Sequence, residues 1–496
     1  MKRLIFLLFL IPFTCTGQEY LDFLTDPGTR TITVFDDVAG WWRADNFSGT
    51  AGSYVLIDKS AHNNSMGQQA GTLTAGTGVN SQARFTGNAS AWWSSNLLIK
   101  SWPVTIITVA VRTNNATCGF FGHTGASGFN TLWFGYEASN ENRIYNTNSS
   151  ANTTAEAGSI ACYVARIGFG SRVTMINGLI QSTMSLASIT QSASLNSTIG
   201  TQYRGANMDW YETLVWDRTL SLTELDEVSA YLNTRYAMSL PLWSSYTEAN
   251  MLGYGGQSNS DGRGDRGASD TNIPVAYRSS LSNVFVWDGS AYPNMDLSTN
   301  TVFNPLYIGQ ELTSAKDYAD DIGENVYVQK FALGSTSMSY TASGNNGYWT
   351  HVHSTAMSDV RAQYGGTLSE FWQAMRVHQL ATRRPNMIGY TFYQGEDDAT
   401  DNTFANNWSS LAEPMFTAMR DEMGLGDFKI FLVRIHTGID GTQHPFKATV
   451  RTQQDNTAAS FPNTQLVSVD TYGLRDAAHI DVNGQLDLGY FLATQF

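Results

Sequence analysis

From Thr31 to Gly200 the chain alternates short apolar or β-branched runs with Ser, Thr, Asn and Gly. The longest run is Val104-Thr105-Ile106-Ile107-Thr108-Val109-Ala110-Val111, and others are Thr131–Tyr136, Tyr163–Phe169 and Arg172–Ile176. Strands of this length between turn residues predict an antiparallel β-sandwich, since alternate side chains fall on opposite faces and the turn residues permit reversal. One helix is predicted near the end of this region. Ser221-Leu222-Thr223-Glu224 is a capping box, and Leu225, Val228 and Leu232 follow on one helical face.

Beyond Pro241 the rhythm changes. Apolar runs of strand length at Asn250–Tyr254, Asn325–Leu333, Met387–Tyr393, Lys429–Ile435 and Gln465–Val469 alternate with helical stretches around Gln310–Asp321, Leu368–Ala381, Trp408–Met423 and Lys447–Asn456. This βαβ order predicts a parallel sheet covered by helices, a three-layer α/β/α domain with its site at the carboxyl ends of the strands. A length of 496 residues also exceeds one ordinary core. The expectation is therefore two domains, residues 18–243 and 248–496. They are expected to fold independently about an exposed linker around Pro241 and Ser244-Ser245.

The N-terminus changes the expected location. Lys2 and Arg3, the apolar stretch Leu4–Phe13 and the small pair Thr16-Gly17 read as an export signal over residues 1–17. The stretch is too short to span a bilayer, and no later one reaches roughly 18 uncharged apolar residues. A secreted or periplasmic protein is expected, with no transmembrane span. Lipoprotein anchoring at Cys15 is the alternative, against which the bulky Phe13 argues. After the signal only Cys118 and Cys162 remain, as one disulfide or as two buried thiols. The 29 Lys+Arg against 43 Asp+Glu give a net charge of −14, which disfavours nucleic acid and anionic membranes as partners.

The chemistry concentrates in the second half. Gly255-Gly256-Gln257-Ser258-Asn259-Ser260-Asp261-Gly262-Arg263-Gly264 directly follows a predicted strand. A Ser on such a tight turn has an exposed hydroxyl and nearby backbone N–H groups, but it needs a base. Asp476-Ala477-Ala478-His479 offers one, because a spacing of three lets the carboxylate reach the imidazole within one turn. His436 and His444 have no carboxylate at such a spacing. His351 and His353 lack a third ligand, so neither a metal nor another cofactor is expected. Arg263-Gly264-Asp265 spells an adhesion tripeptide but sits in the glycine-rich loop beside Ser258, where substrate contact or a turn fits better.

Four ordered blocks in residues 248–496 resemble the SGNH hydrolases, and among them the sialate O-acetylesterase and acetylxylan esterase group. They are Gly256-Gln257-Ser258-Asn259, Leu333-Gly334-Ser335-Thr336-Ser337, Gln394-Gly395-Glu396-Asp397-Asp398-Ala399 and Asp476-x-x-His479. The resemblance implies Ser258 as nucleophile, His479 as general base and acid, and Asp476 as its orienting partner. It implies an oxyanion site formed by the amides of Ser258 and Gly334 with a side-chain donor, for which Gln394 is chosen because an ionised Glu396 cannot donate. Gln257, Asn259, Arg263, Glu396 and Asp398 would orient loops or bind the sugar. The chain departs from the pattern at Ser335, where Gly is common, and at Asp397, where Ser is usual.

In the first half, Gly40-Trp41-Trp42-Arg43-Ala44-Asp45, Ile57–Asn64 and Glu212–Leu220, running on through Tyr231–Tyr236, resemble the concanavalin A-like, laminin-G-like lectin domains, which implies a jelly-roll sandwich beside the catalytic domain. Trp41, Trp42, Trp92, Trp93 and Trp216 read as core residues, with Trp92-Trp93 the best candidate for a sugar platform. Asp58 reads as a turn residue, with Ca²⁺ binding the alternative. Together these readings predict a secreted carbohydrate esterase that removes O-acetyl groups from a polysaccharide or glycan. The rivals are a glycan-binding adhesin or phage tail protein with a degenerate hydrolase domain, and a lipase or thioesterase of the same superfamily.

Overall fold

A computed structural model describes residues 33–496 apart from 52, 71–72, 88–91, 95–102, 113–117, 125–132, 138–140, 145–150, 153–158, 186–195, 200–207, 268–269, 298–305, 342–345 and 352–362. Residues 1–17, where an export signal is expected, with Cys15 among them, and His353 lie outside the described residues. No described helix is long and apolar enough to cross a membrane.

The N-terminal half is one large antiparallel sheet. Within it the strand Val104–Arg112 is paired on one side with Ile160–Ile167 and on the other with Met208–Trp216. Every residue of Val104–Arg112 is buried, and the alternation of the strand explains how. Val104, Ile106 and Ala110 enter a cluster with Trp42, Phe85, Trp93 and Trp210 inside the sheet. Ile107, Val109 and Val111 point the other way, into a second cluster. Helix α1 (Leu222–Tyr236) contributes to that outer cluster through Leu225, Val228 and Leu232, and its capping box is formed between Ser221 and Glu224.

The C-terminal half carries a mixed sheet with helices. Its principal elements are β1 (Thr247–Gly256), α2 (Ser258–Asp261), β2 (Leu281–Val286), α3 (Glu311–Ile322), β3 (Val326–Ala332), α4 (Gln363–Leu380), β4 (Arg383–Tyr393), α5 (Asn402–Met423), β5 (Lys429–Arg434), α6 (Lys447–Ser460), β6 (Thr464–Ser468) and α7 (Val482–Ala493). The strand order is β2-β3-β1-β4-β5-β6, all parallel, with the short Asn294–Met295 antiparallel on the β2 edge. That edge makes the sheet mixed, where the sequence suggests a purely parallel one. The strand that leads to Ser258 is thus flanked by neighbours on both sides.

The two halves are closely joined. The outer cluster of the first sheet continues through Leu240 and Trp243 to Leu368, Phe371 and Trp372 of α4 and to Met419 and Met423 of α5. Arg166, fully buried, donates to the carbonyls of Leu220, Asp421 and Glu422 and lies 4.8 Å over Trp372. The buried Glu422 carboxylate accepts from the amides of Phe169, Gly170 and Ser171 and from the hydroxyls of Ser171 and Tyr364. Gln379 accepts from Ile180 N and donates to Gly178 O. The linker differs from the exposed one expected. Ser244 and Ser245 are exposed, but Trp243 is buried and its amide is held by Asp226, while Pro241 packs on Gly178.

Cys162 is a buried free thiol, pushed up to about 12 by burial. Trp42, Trp93 and Trp216 are core residues, so Trp93 offers no platform, and the side chain of Trp92 lies outside the described residues. Asp58 accepts from the amides of Trp41, Ser60 and Asn64 and from the Ser60 hydroxyl, which is turn chemistry.

Candidate active site

Ser258 stands where β1 runs out. Gly256 adopts φ of 129°, and a Cβ there would collide with the Tyr393 carbonyl, so only glycine lets the chain turn so sharply beside β4. Gln257 N then bonds to Tyr393 O, and the one-turn helix α2 begins at Ser258. Ser258 is 8% exposed. Its turn is supported from below, because Lys330 of β3 donates to the Asp261 carbonyl and pairs with Glu311 in a buried ion pair.

Asp476 and His479 lie in a tight loop closed by the bridge between Leu474 and Ile480 and by the bond from Arg475 N to His479 O. His479 Nδ1 lies 2.8 and 2.9 Å from the two Asp476 oxygens, and its Nε2 lies 2.9 Å from Ser258 Oγ. Burial alone would raise the Asp476 carboxyl. The amides of Ala478 and His479, the imidazole and Arg475 outweigh it and hold the group well below the usual carboxylate range. An ionised carboxylate fixes the imidazole with Nδ1 protonated and leaves Nε2 to accept the serine proton.

Gly334 follows β3 at the level of Ser258. A Cβ built on it would lie 3.4 Å from Ser258 Cβ and 2.8 Å from Arg263 Nη2. Its carbonyl is held by Asn346 Nδ2 at 3.0 Å. Ser335, at the position where glycine is common, has φ of 58° and is exposed. The loop therefore keeps the left-handed turn a glycine would make, at the strain a Cβ brings there.

The remaining candidates divide. Gln394 does not face the acyl site. It is fully buried, its amide donates to Thr336 O at 2.9 Å, Asp398 Oδ2 at 2.6 Å and Gln257 Oε1 at 3.3 Å, and its Oε1 accepts from Trp408. With both N–H bonds used inside the protein it has none for an oxyanion, which corrects the expected donor. Asp398 is likewise fully buried and accepts from Met338 N and Gln394, so it is no sugar contact. Gln257 Oε1 accepts from the Gly395 and Asp397 amides. Asn259 donates to Glu396 Oε1 at 2.6 Å and to Ala478 O, and accepts from Ile480 N. Gln257, Asn259, Glu396 and Asp398 thus brace the loops around Ser258 and His479 from within. Burial with one donor pushes Glu396 up to about 7. Of the five suggested substrate contacts, only Arg263 stands beside Ser258 with its side chain partly exposed, at 14%.

Arg475 was not singled out by its sequence context, although it directly precedes Asp476. It donates to Asp476 Oδ2 and to Arg263 O and lies 4.8 Å over Tyr307, tying the Ser258 loop to the His479 loop. His436 bonds to Tyr472 O and Gly438 N, and His444 to Glu396 O, so neither substitutes for His479. His351 packs on Phe169 and Tyr364, and burial lowers it to about 4. Among the described residues no cluster of metal-ligating side chains occurs.

A hydroxyl, an imidazole and a carboxylate linked in this order, at the carboxyl ends of parallel strands, are the parts a serine esterase requires. The profile of the family described as carbohydrate esterase, sialic acid-specific acetylesterase, matches residues 254–496, the stretch that holds all three groups. The C-terminal half is accordingly a carbohydrate acetylesterase domain, and the protein is a carboxylic ester hydrolase. Among solved structures, a protein from Arabidopsis thaliana is 17% identical with a TM-score of 0.39, over 50% of this chain and 97% of that one. NanS is 12% identical with a TM-score of 0.37 over the same shares. A carbohydrate acetylesterase from Xanthomonas citri is 16% identical with a TM-score of 0.35, over 81% of this chain and 69% of that one. No curated protein matches the sequence.

Proposed function

We propose that the protein is an exported carbohydrate esterase that removes O-acetyl groups from a glycan through an acyl-enzyme on Ser258. The observation that carries this reading is the 2.9 Å approach of His479 Nε2 to Ser258 Oγ, with Asp476 on the far nitrogen. Ser258 Oγ bonds to the acetyl carbon as its proton passes to His479 Nε2. The carbonyl electrons move onto oxygen, which the amides of Ser258 and Gly334 face. Collapse breaks the bond to the sugar oxygen, and His479 returns the proton to it. Water, activated by the same imidazole, then releases acetate. The N-terminal half, as a concanavalin-like jelly roll, would hold the enzyme on its polymer.

The test is acetate release from a panel of acetylated polysaccharides and sialoglycans, run with variants. Ser258→Ala and His479→Ala should each abolish nearly all turnover, and the double variant should be little worse, because the groups act as a unit. Asp476→Asn should cost on the order of a hundredfold or more through the wrong tautomer. A fully active Ser258→Ala would end the nucleophile assignment. A wild type that binds glycan but releases no acetate would make the binding-protein reading the better one.

A further inference from the structure

Two amides are a thin oxyanion site, and the side chain expected to complete it, Gln394, is spent elsewhere. The group that does stand at Gly334 is the Arg263 guanidinium. Gly334 is not in the left-handed region, so its backbone angles do not demand glycine. The space above it is taken by the Arg263 side chain: a Cβ there would lie 2.8 Å from Arg263 Nη2, the movable end of that side chain, and 3.4 Å from Ser258 Cβ. Arg263 and Ser258 therefore flank the same small volume. The guanidinium is also held in place. Its Nη2 lies 3.1 Å from Asp261 Oδ2, and Asp261 closes the same turn that presents Ser258. The Arg263 carbonyl is pinned by Arg475.

We infer that Arg263 supplies the third electropositive group of the oxyanion site, its guanidinium facing the charge that develops on the acyl oxygen above Gly334. This rests on the acyl-enzyme reading above. As the Oγ–carbon bond forms, one electron pair moves onto the carbonyl oxygen and the proton goes to His479, so Arg263 transfers nothing and its contribution is electrostatic. Being a charge fixed beforehand in a largely buried site, it needs no reorganisation when the anion appears. Its Nη2, the nitrogen paired with Asp261, is also the one nearest Gly334. A guanidinium that instead read a carboxylate on the sugar would act on substrate binding, and the two roles separate by experiment.

The probe is 4-nitrophenyl acetate, a neutral ester with no sugar. Ser258→Ala must first abolish its hydrolysis by the full chain; if it does not, the acyl-enzyme reading itself has failed, whatever Arg263 does. Given that control, Arg263→Met should lower kcat about 100-fold with KM changed less than threefold, the size seen when one oxyanion donor is removed. Arg263→Lys, which keeps the charge, should stay within about tenfold of wild type, and Arg263→Gln takes the place of the Met variant if that one does not fold. Inhibition by a phenylboronic acid, whose tetrahedral anion mimics the adduct, should weaken in proportion to kcat/KM across wild type and the variants. A merely structural role would not produce that proportionality. The inference is overturned if 4-nitrophenyl acetate turnover survives Arg263→Met or Arg263→Gln unchanged. It is equally overturned if the loss appears only in KM and only for esters of acidic sugars, or if boronate affinity does not follow kcat/KM.

Discussion

Gln394 and Glu396 stand side by side in one sequence block and differ in how far their surroundings can be read from it. The Asp476–His479 contact is legible because it closes within three residues. Of the partners of Gln394, Asp398 lies in the same block, but Gln257, Thr336 and Trp408 come from separate loops and helices, and nothing local announces them. Its burial predicts that Gln394→Ala acts through folding. Asp398, Thr336 O and Trp408 Nε1 would lose their partner, at a cost of about 2–4 kcal/mol in denaturant unfolding. The turnover number of the folded fraction should stay within a few fold, and a hundredfold fall in kcat without loss of stability would restore the donor role. Glu396 makes a pH prediction. Its proton leaves at about 7 in the folded chain against roughly 4.3 unfolded, so between those values the folded state holds more protons. The group's stability contribution is full below pH 4.3 and is lost as pH rises through 7. Glu396→Gln stays neutral and keeps an acceptor for Asn259. Its melting temperature should therefore gain on wild type from about pH 4.5 to about 7 and hold that gain above. Comparing the two proteins cancels the buried His351 and His378, which both keep. A gap that stays constant over that range would show Glu396 ionised throughout.

At the scale of elements, the strands carrying the blocks are legible because each is a short apolar run ending in Gly or a polar turn. Their C-terminal ends, at Gly256, Ala332 and Tyr393, bring the first three blocks together in the sheet order β3-β1-β4. Helix α7 is not legible by the same means, since Gly484 and Gly489 interrupt its pattern. The structure supplies the reason for Gly489: a Cβ there would strike Thr313 and Gln310, so it lets α7 close onto α3. The C-terminal end of α5 is the other surprise. Glu422 reads as an ordinary helix-surface residue, yet it is the acceptor for three amides of the first half. Replacing it by Ala would leave those amides and the Tyr364 hydroxyl without their acceptor and remove a negative charge near the buried Arg166, which keeps its carbonyl partners. The expected loss is about 3–5 kcal/mol, with Glu422→Gln milder. Since Glu422 lies at the far end of a 22-residue helix, roughly 30 Å along from its active-site end, kcat well below the melting range should not change. Unaltered stability in Glu422→Ala would show that the junction is not held there.

For the whole molecule, the apolar and β-branched run at Val104–Val111 signals a strand, but not what covers its second face. That face belongs to a cluster continuing through α1 and Trp243 into α4 and α5, with Arg166, Gln379 and Glu422 as the polar fastenings. Independent folding of residues 18–243 and 248–496 would expose that cluster on both pieces, and exposed apolar patches of this kind drive aggregation. The full chain should therefore melt in one calorimetric transition, and residues 248–496 expressed alone should melt lower or aggregate. Deleting the first half is then a poor test of glycan tethering, because loss of activity would report lost stability. The intact chain with Ser258→Ala avoids this. The proposed nucleophile is gone and the junction untouched, so depletion from solution by insoluble acetylated glycan measures binding alone. If the first half tethers the enzyme, the variant should bind the polymer at concentrations where the soluble monosaccharide ester does not displace it, since the contacts would lie outside the cleft. Displacement by that small ester would place all of the binding at Ser258. Two resolved melting transitions would return the halves to independence and make the deletion informative again.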